Sequence, residues 1–397
     1  MRFYVESITG KMLYTEKLLQ HLVRAKGHEL GLERDSVVLA SVCDVTDLPA
    51  LERIRDRHPS LPLISGGHFA KIGYRVMGLH SDAVWLGHVF ELLDCSSLEE
   101  AMATTACYVP GETKHLRPSK RIEWRLCPAI QIDKRRYYLW GGTGCKGKCS
   151  FCYTSWSEEH RERPGLDKLV ARTQSRLGSA GTLKVISNAY STDLGDDLVQ
   201  DMMLRDLLRV RSNSKRKLIR CGVEFATEAS RKRHAKPIKT EEIRAAIRHA
   251  ERLGLDLQLF LIGGWDTRGD WEQFIHQAIP VSDALKPRVF LKWTNLEYQQ
   301  LTPLWRHAAQ LDPERYLDSS FTDWAFRVAA HKNKRIRVLQ VKYPAHAIWR
   351  MCMSNVRDMG EYRDAKRHRN VKDMGRILEL ADRIRPWEHE LSELEEV

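Results

Sequence analysis

The 397-residue sequence has no apolar run approaching the roughly 20 residues that span a bilayer, which excludes a membrane bundle. Its opening, Met1-Arg2-Phe3-Tyr4-Val5-Glu6-Ser7, lacks the charged and then apolar stretches of a secretory signal, so the cytoplasm is the expected compartment. No internal repeat and no low-complexity linker is found. Cysteines number nine, without the dense pairing of a secreted disulfide framework. Cys43, Cys95, Cys107, Cys127, Cys221 and Cys352 are scattered, and only three others cluster. Acidic residues are the scarcer charge, 52 against 64 basic. The resulting net charge of +12 favours a polyanionic partner such as nucleic acid; a basic surface that serves solubility is the plain alternative. Apolar residues at 43% and charged residues at 29% exclude a disordered chain. The length suits two or three domains with a sizeable core.

Residues 1–105 alternate apolar runs with helical patterns. Strands are expected at Met1–Val5, Ser36–Val42, Leu61–Ser65 before Gly66-Gly67, and Ala83–Leu86 before Gly87. Amphipathic stretches lie at Leu13–Ala25 and Asp47–His58, the second with Pro49 near its first turn. This alternation implies a doubly wound parallel sheet, which binds ligands beyond the carboxyl ends of its strands. Residues 106–136 read as a Pro- and Gly-bearing connector. A second series over 137–310 has strand candidates at Tyr137–Trp140, Leu183–Ile186, Leu218–Val223, Leu257–Ile262 and Val289–Trp293. Between these segments lie helical patterns, the clearest being Thr240–Leu253 with Thr240 as N-cap and Gly254 as its stop. Such units suggest a partial βα barrel with its chemistry just after the strands. Residues 311–397 read as a charged, mostly helical tail with basic runs at 331–337 and 363–369. Those runs are ordinarily solvated helix faces, although Trp349 and Tyr362 nearby would allow base stacking.

The segment Gly141-Gly142-Thr143-Gly144-Cys145-Lys146-Gly147-Lys148-Cys149-Ser150-Phe151-Cys152 follows a strand candidate. Three thiolates at Cys-x3-Cys-x2-Cys spacing on a glycine-rich loop can ligate three irons of a cubane and leave the fourth without a protein ligand. Gly144 and Gly147 let the backbone wrap closely, and Lys146 and Lys148 offset negative charge. A structural zinc site would take four ligands; no second Cys-x2-Cys pair is present, and His160 is the one nearby candidate for a fourth.

This motif, with Phe151 at its aromatic position, resembles that of the radical S-adenosylmethionine superfamily. The resemblance implies a 4Fe-4S cluster on Cys145, Cys149 and Cys152 whose open iron binds S-adenosylmethionine. It further implies reductive cleavage to a 5′-deoxyadenosyl radical and an electron donor of flavodoxin or ferredoxin type. Cys221-Gly222-Val223-Glu224 resembles the family's fourth-strand element, whose carboxylate contacts the cofactor. Lys236-Pro237-Ile238-Lys239-Thr240 resembles the next helix start. Phe260-Leu261-Ile262-Gly263-Gly264-Trp265 resembles the fifth-strand segment that packs the adenine, which implicates Ile262 and Gly263. Leu301-Thr302-Pro303-Leu304 resembles a Gly-Thr-Pro-Leu segment near the barrel's end. One departure stands at the second strand. Where the family often has Gly-Gly-Glu for the cofactor's amine, this chain has Ile186-Ser187-Asn188-Ala189-Tyr190. Ser187 and Asn188 offer hydroxyl, amide and carbonyl groups for that contact, or are simply strand-end turn residues.

Asp35–Val42, Leu61–His68 and Ser81–Gly87 resemble the cobalamin-binding domain that precedes the barrel in one branch of the superfamily, with Gly66 and Gly67 allowing close approach of a nucleotide tail. His88 stands where that branch has Glu, and no Asp-x-His-x-x-Gly is present to supply a lower axial histidine. A scaffold without cobalamin is the alternative. A methylthiotransferase would need three cysteines here, and Cys95 and Cys107 lie too late. Cys352, between two methionines, is a candidate catalytic thiol or a core residue. Tyr153 and Trp156 are placed to cover the cluster, and Asp266 and Arg268 to face the cofactor. The expected architecture is an α/β chain: a doubly wound cobalamin-binding-type domain, a partial six-stranded barrel and a helical tail closing over substrate. The expected activity is methylation, rearrangement or carbon–carbon bond formation, with a nucleobase or nucleic acid as leading substrate and a small natural product or peptide as the alternative. A zinc-bearing nucleic-acid-binding module and a plain electron-transfer protein are the competing classes.

Overall fold

The computed structural model describes residues 1–10, 13–177, 181–187, 203–211, 218–280, 287–295, 302, 304, 336–341, 344–370 and 373–384. Strand β1 (Arg2–Glu6) lies between β2 (Glu29–Leu30) and β3 (Val37–Ser41). After them come β4 (Leu63–Gly66), β5 (Ala83–Trp85) and β6 (Cys107–Tyr108), in the order β2-β1-β3-β4-β5-β6. All neighbours are parallel except β6, which runs against β5. Every residue of β3 is buried, as a parallel sheet covered on both faces requires. Side-chain alternation sorts them: Val37 and Leu39 join Phe3, Leu18 and Leu22, whereas Val38 and Ala40 join Leu48, Leu51 and Ile54 on the opposite face. Helix Tyr14–Ala25 covers the first face through Leu18, Leu22 and Val23. Its first turn is closed by the Glu16 carboxylate, which accepts from the Leu13 N–H at 3.0 Å. Helix Leu48–Arg57, with Pro49 in its first turn, covers the second. The order reverses at β1 and β3, the switch point where such sheets open a ligand crevice.

The second half begins with β8 (Arg136–Thr143), flanked by antiparallel β7 (Ile130–Gln131) and β9 (Arg161–Glu162) and by parallel β10 (Thr182–Ser187). A further parallel sheet runs in chain order through β11 (Leu218–Glu224), β12 (Asp256–Gly263), β13 (Val289–Asn295) and β14 (Ile336–Val341). Helices alternate with these strands. Thr240–Arg252 is one; its N-cap is Lys239, one residue before the expected Thr240, because the Glu242 carboxylate accepts from the Lys239 N–H at 2.8 Å. Glu224 ends β11 and Gly263 ends β12. Strand β14 lies inside the stretch read as helical tail. Basic neighbours conceal its alternation, in which Ile336 is buried and Arg337 exposed.

Among the described residues three helices follow: Pro344–Ser354, Met359–Arg367 and Met374–Ile384. Their apolar residues Ile348, Met351, Ile377 and Leu380 share one core with Val38, Leu51 and Met77 of the first sheet's second face. Polar contacts fix the docking. Arg350 donates to both Asp44 carboxylate oxygens at 2.8 and 2.7 Å, and the Tyr362 hydroxyl donates to Glu52 at 3.2 Å. Trp349 donates to the Ala365 carbonyl at 2.7 Å. Trp349 and Tyr362 are only 1% and 0% exposed, so the stacking platform expected of them is corrected: apolar burial has taken both rings. Residues 331–335 of the first basic run lie outside the described residues.

Candidate active site

Strand β8 ends at Thr143, and Gly144 turns the chain with φ +58°, where a Cβ would lie 2.4 Å from the Glu159 carbonyl oxygen. The loop that follows carries Cys145, Cys149 and Cys152, all half-buried free thiols. The Gly147 N–H donates to Cys145 Sγ at 3.3 Å. A Cβ on Gly147 would stand 3.4 Å from Cys145 Sγ and 3.7 Å from Cys149 Sγ, so this glycine floors the space between two sulfurs. Cys152 caps helix Tyr153–Ser157, and its N–H donates to the Cys149 carbonyl at 3.1 Å. That carbonyl also accepts from the Trp156 indole at 2.8 Å. Ser150 ties the loop to the far side of the site: its N–H donates to the His234 carbonyl at 3.3 Å, and its hydroxyl lies 2.7 Å from His234 Nδ1.

Burial pushes the Cys149 thiol up to about 11, while the Lys236 ammonium pulls the other way and the Cys152 and Cys145 thiols add to the rise. The three thiols are thus electrostatic neighbours. Among the described residues, no three His, Cys, Asp or Glu side chains converge as on a single ion. Cys145 and Cys149 border one glycine floor, and with Cys152 on the same loop they are the donor set that could hold three irons of a cubane.

Facing the loop is an ion pair. Glu224, at the end of β11, holds φ +71°, and its Oε1 lies 2.5 Å from Lys236 Nζ. Burial pulls the Lys236 pKa down, but the Glu224 carboxylate beside it and the Cys149 and Cys152 thiols outweigh burial and raise it. Gly222 makes the pair possible, since a Cβ there would lie within 2.1 Å of Glu224 Oε1 and 2.5 Å of Lys236 Nζ. Arg231, fully buried, braces this corner by donating to the carbonyls of Phe225, Ala226 and Ile238. Phe151 packs edge-on against Phe225 at 5.3 Å between centroids, and Phe225 stacks on His234 at 4.3 Å. Leu304 reaches the loop by donating its N–H to the Ser150 carbonyl at 3.0 Å.

Next to the cysteine loop a cavity of about 310 Å³ opens where the carboxyl ends of β3, β4 and β5 meet those of β8 and β10. Gly66, Gly67, His68 and His88 line it from the first sheet, and Thr143, Tyr153 and Glu158 from the loop's two flanks. Gly67, at φ +103°, leaves no room for a side chain: a Cβ would sit 2.6 Å from the Val42 carbonyl oxygen and 2.8 Å from Ser41 Oγ. Three contacts join sheet to loop. The Tyr153 hydroxyl donates to the His68 carbonyl at 2.7 Å, Lys71 to the Ser157 carbonyl at 2.7 Å, and His88 pairs with Glu158. Burial alone would raise the Glu158 carboxyl, but His88 and Lys71 hold it low. Burial lowers the His68 pKa, and Lys71 adds to this.

The structure thus brings together the three cysteines, Phe151, Glu224, Gly66 and Gly67 around one loop and its cavity. Ile262 is nearly buried near the end of β12, Gly263 ends that strand, and Ile262 shares a core with Phe225. Ser187 ends β10 opposite Gly142; its side chain and all of Asn188 lie outside the described residues. Asp266 accepts from the Ala226 N–H at 2.7 Å and from Ser230, bracing a loop. Arg268 opens helix Arg268–Ala278. Cys352 is fully buried beside Met351 and Met353, and burial pushes its thiol to about 12. Sequence reasoning missed Lys236 as the Glu224 partner, and His68, Lys71 and the His88–Glu158 pair as links across the cavity. Gly222 two residues before Glu224 was the one local sign of a crowded ion pair.

No family profile matches this chain, and no curated protein matches its sequence. Solved structures do match. The radical S-adenosylmethionine methyltransferase TsrM from Kitasatospora setae, with cobalamin and a 4Fe-4S cluster bound, is 12% identical with a TM-score of 0.52, over 76% of each chain. The same enzyme with tryptophan substrate and the S-adenosylmethionine analogue aza-SAM bound matches equally, at a TM-score of 0.52. The cobalamin-dependent S-adenosylmethionine radical enzyme OxsB, with aqua-cobalamin bound, is 12% identical with a TM-score of 0.53, over 85% of this chain and 58% of its own. The chain has the fold of these enzymes.

Proposed function

We propose that the chain is a cobalamin-dependent radical S-adenosylmethionine enzyme acting on a small molecule. One observation carries the reading: the residues just before and after the cysteine loop line the same cavity as Gly66, Gly67 and His68. A cluster on that loop and a corrinoid in that cavity would therefore be neighbours. When bound, the cluster supplies an electron to cleave S-adenosylmethionine and the corrinoid supplies a methyl carrier.

Every other role falls to the chain itself. Cys145, Cys149 and Cys152 would hold three irons and leave one open to the sulfonium cofactor. Glu224 is a charged acceptor held by Lys236 toward that cofactor, Ile262 and Gly263 shape the space for its adenine, Phe151 shields the loop, and Ser187 with Asn188 meets its amine. Gly66 and Gly67 admit a nucleotide tail to the backbone. Trp156 and Tyr153 keep water from the thiolates. An external donor of flavodoxin or ferredoxin type delivers the electron. The proposed division is 1–105, 106–136, 137–310 and 311–397, with β14 of the last part joining the second sheet and the described tail helices supporting the first sheet rather than covering substrate. The complete burial of Cys352 favours packing over catalysis.

A nucleobase substrate is the second reading, and it rests on the net charge of +12. The test is anaerobic reconstitution with iron and sulfide, then product analysis with S-adenosylmethionine, with and without cobalamin. About four irons per chain and cofactor cleavage that depends on the three cysteines are expected. A colourless protein that binds zinc, or a cluster that never cleaves S-adenosylmethionine, refutes the proposal.

A further inference from the structure

The helix that follows the cysteine loop contains a side chain with no role so far. Ser155 is 1% exposed, and its hydroxyl has no hydrogen-bond partner among the described residues. A hydroxyl shut away from water and left without a partner is costly, and such groups are normally satisfied. Its position is informative. Ser155 sits one turn after Cys152, its N–H donating to the Cys152 carbonyl at 3.0 Å. Its Oγ is 4.0 Å from the point above Gly147 that lies 3.4 Å from Cys145 Sγ and 3.7 Å from Cys149 Sγ. The hydroxyl therefore lies beside the same face of Gly147 that Cys145 and Cys149 border. On its other side the Ser155 carbonyl accepts from Lys148 at 3.5 Å, so the backbone there is already engaged and only the side chain is idle.

We propose that Ser155 is a positioning residue that donates a hydrogen bond to a sulfur of the cluster, a thiolate or a bridging sulfide, and so sets how readily the cluster accepts its electron. The inference rests on the cluster reading above. An O–H donor at a cluster sulfur stabilises the more negative, reduced form, and hydrogen bonds to sulfur are one of the protein's means of tuning such potentials. Lys146 and Lys148 cannot substitute: Lys146 pairs with Glu162 at 2.9 Å at the surface, and the Lys148 ammonium lies 5.1 Å from the Trp156 ring centroid.

The test compares the full-length reconstituted wild type with Ser155→Ala and Ser155→Thr. The readouts are iron content, EPR-monitored reductive titration, and the hyperfine coupling of exchangeable protons to the reduced cluster in water and deuterium oxide. Ser155→Ala is expected to assemble the cluster, to lower its midpoint potential and to lose one exchangeable-proton coupling. Ser155→Thr, which keeps the donor, is expected to restore both. An alanine variant with full iron content and unchanged potential and couplings overturns the proposal, as does a threonine variant that behaves like alanine. A wild type that takes up no iron fails at the first readout and refutes the cluster reading itself, a separate result.

Discussion

The ion pair between Asp44 and Arg350 joins the end of the first sheet to a helix some three hundred residues later, and it gives a sharp test of that docking. Burial raises the Asp44 carboxyl, but the two-pronged hydrogen bond and the charge of Arg350, with Thr46, bring it down to about 2 from 3.8. At roughly 1.4 kcal/mol per pKa unit that is roughly 2.5 kcal/mol. The Asp44 side chain is 37% exposed, and solvent screening reduces the effective coupling to about 1–1.5 kcal/mol. Arg350→Met keeps the aliphatic stem and removes the charge. A double-mutant cycle with Asp44→Asn, read by urea unfolding at neutral pH, should return that coupling. A carboxyl whose folded pKa is depressed stabilises above its unfolded value. The coupling should therefore be full above pH 3.8 and fade as pH falls through about 2. A cycle energy at neutral pH below about 0.3 kcal/mol would show that the helix docks by apolar contact alone.

Three further outcomes are expected. Cys149→Ala should cut iron uptake and abolish release of 5′-deoxyadenosine, as anaerobic reconstitution and chromatography would show; full nucleoside release would contradict the ligand assignment. Gly67→Ala forces a side chain into a left-handed backbone against Val42 and Ser41, so it should cost roughly 1–3 kcal/mol and weaken cobalamin retention in equilibrium dialysis. Unchanged retention would place the corrinoid elsewhere. Trp349→Ala should destabilise the chain by roughly 3–5 kcal/mol in urea unfolding, and a loss below roughly 1 kcal/mol would deny its place in the core.

Much of this was legible in the sequence because the signals were local. Apolar runs such as Val37–Ser41 announce buried parallel strands, and the three cysteines with their glycines announce a metal-binding loop. What escaped depends on distance along the chain. Nothing near Tyr153 shows that its hydroxyl meets the His68 carbonyl, 85 residues away, nor does His88 point to Glu158. Strand β14 was hidden by charge: Arg337 lies between Ile336 and Val338, and a basic run looks like a solvated helix face. The tail's tryptophan and tyrosine suggested a surface for stacking bases, because sequence reports ring chemistry but not which face of a helix finds a partner.

The docking of Pro344–Ser354, Met359–Arg367 and Met374–Ile384 onto the first sheet also has a consequence during synthesis. A nascent chain that has emerged as far as β5 carries an apolar cluster, with Leu48, Leu51 and Met77, that awaits helices not yet synthesised. Until residues 344–384 emerge it must carry that sticky surface past everything else in the cell, so chaperone dependence should last until they have been made. A chain stopped before Pro344 would then aggregate rather than fold into a shortened enzyme.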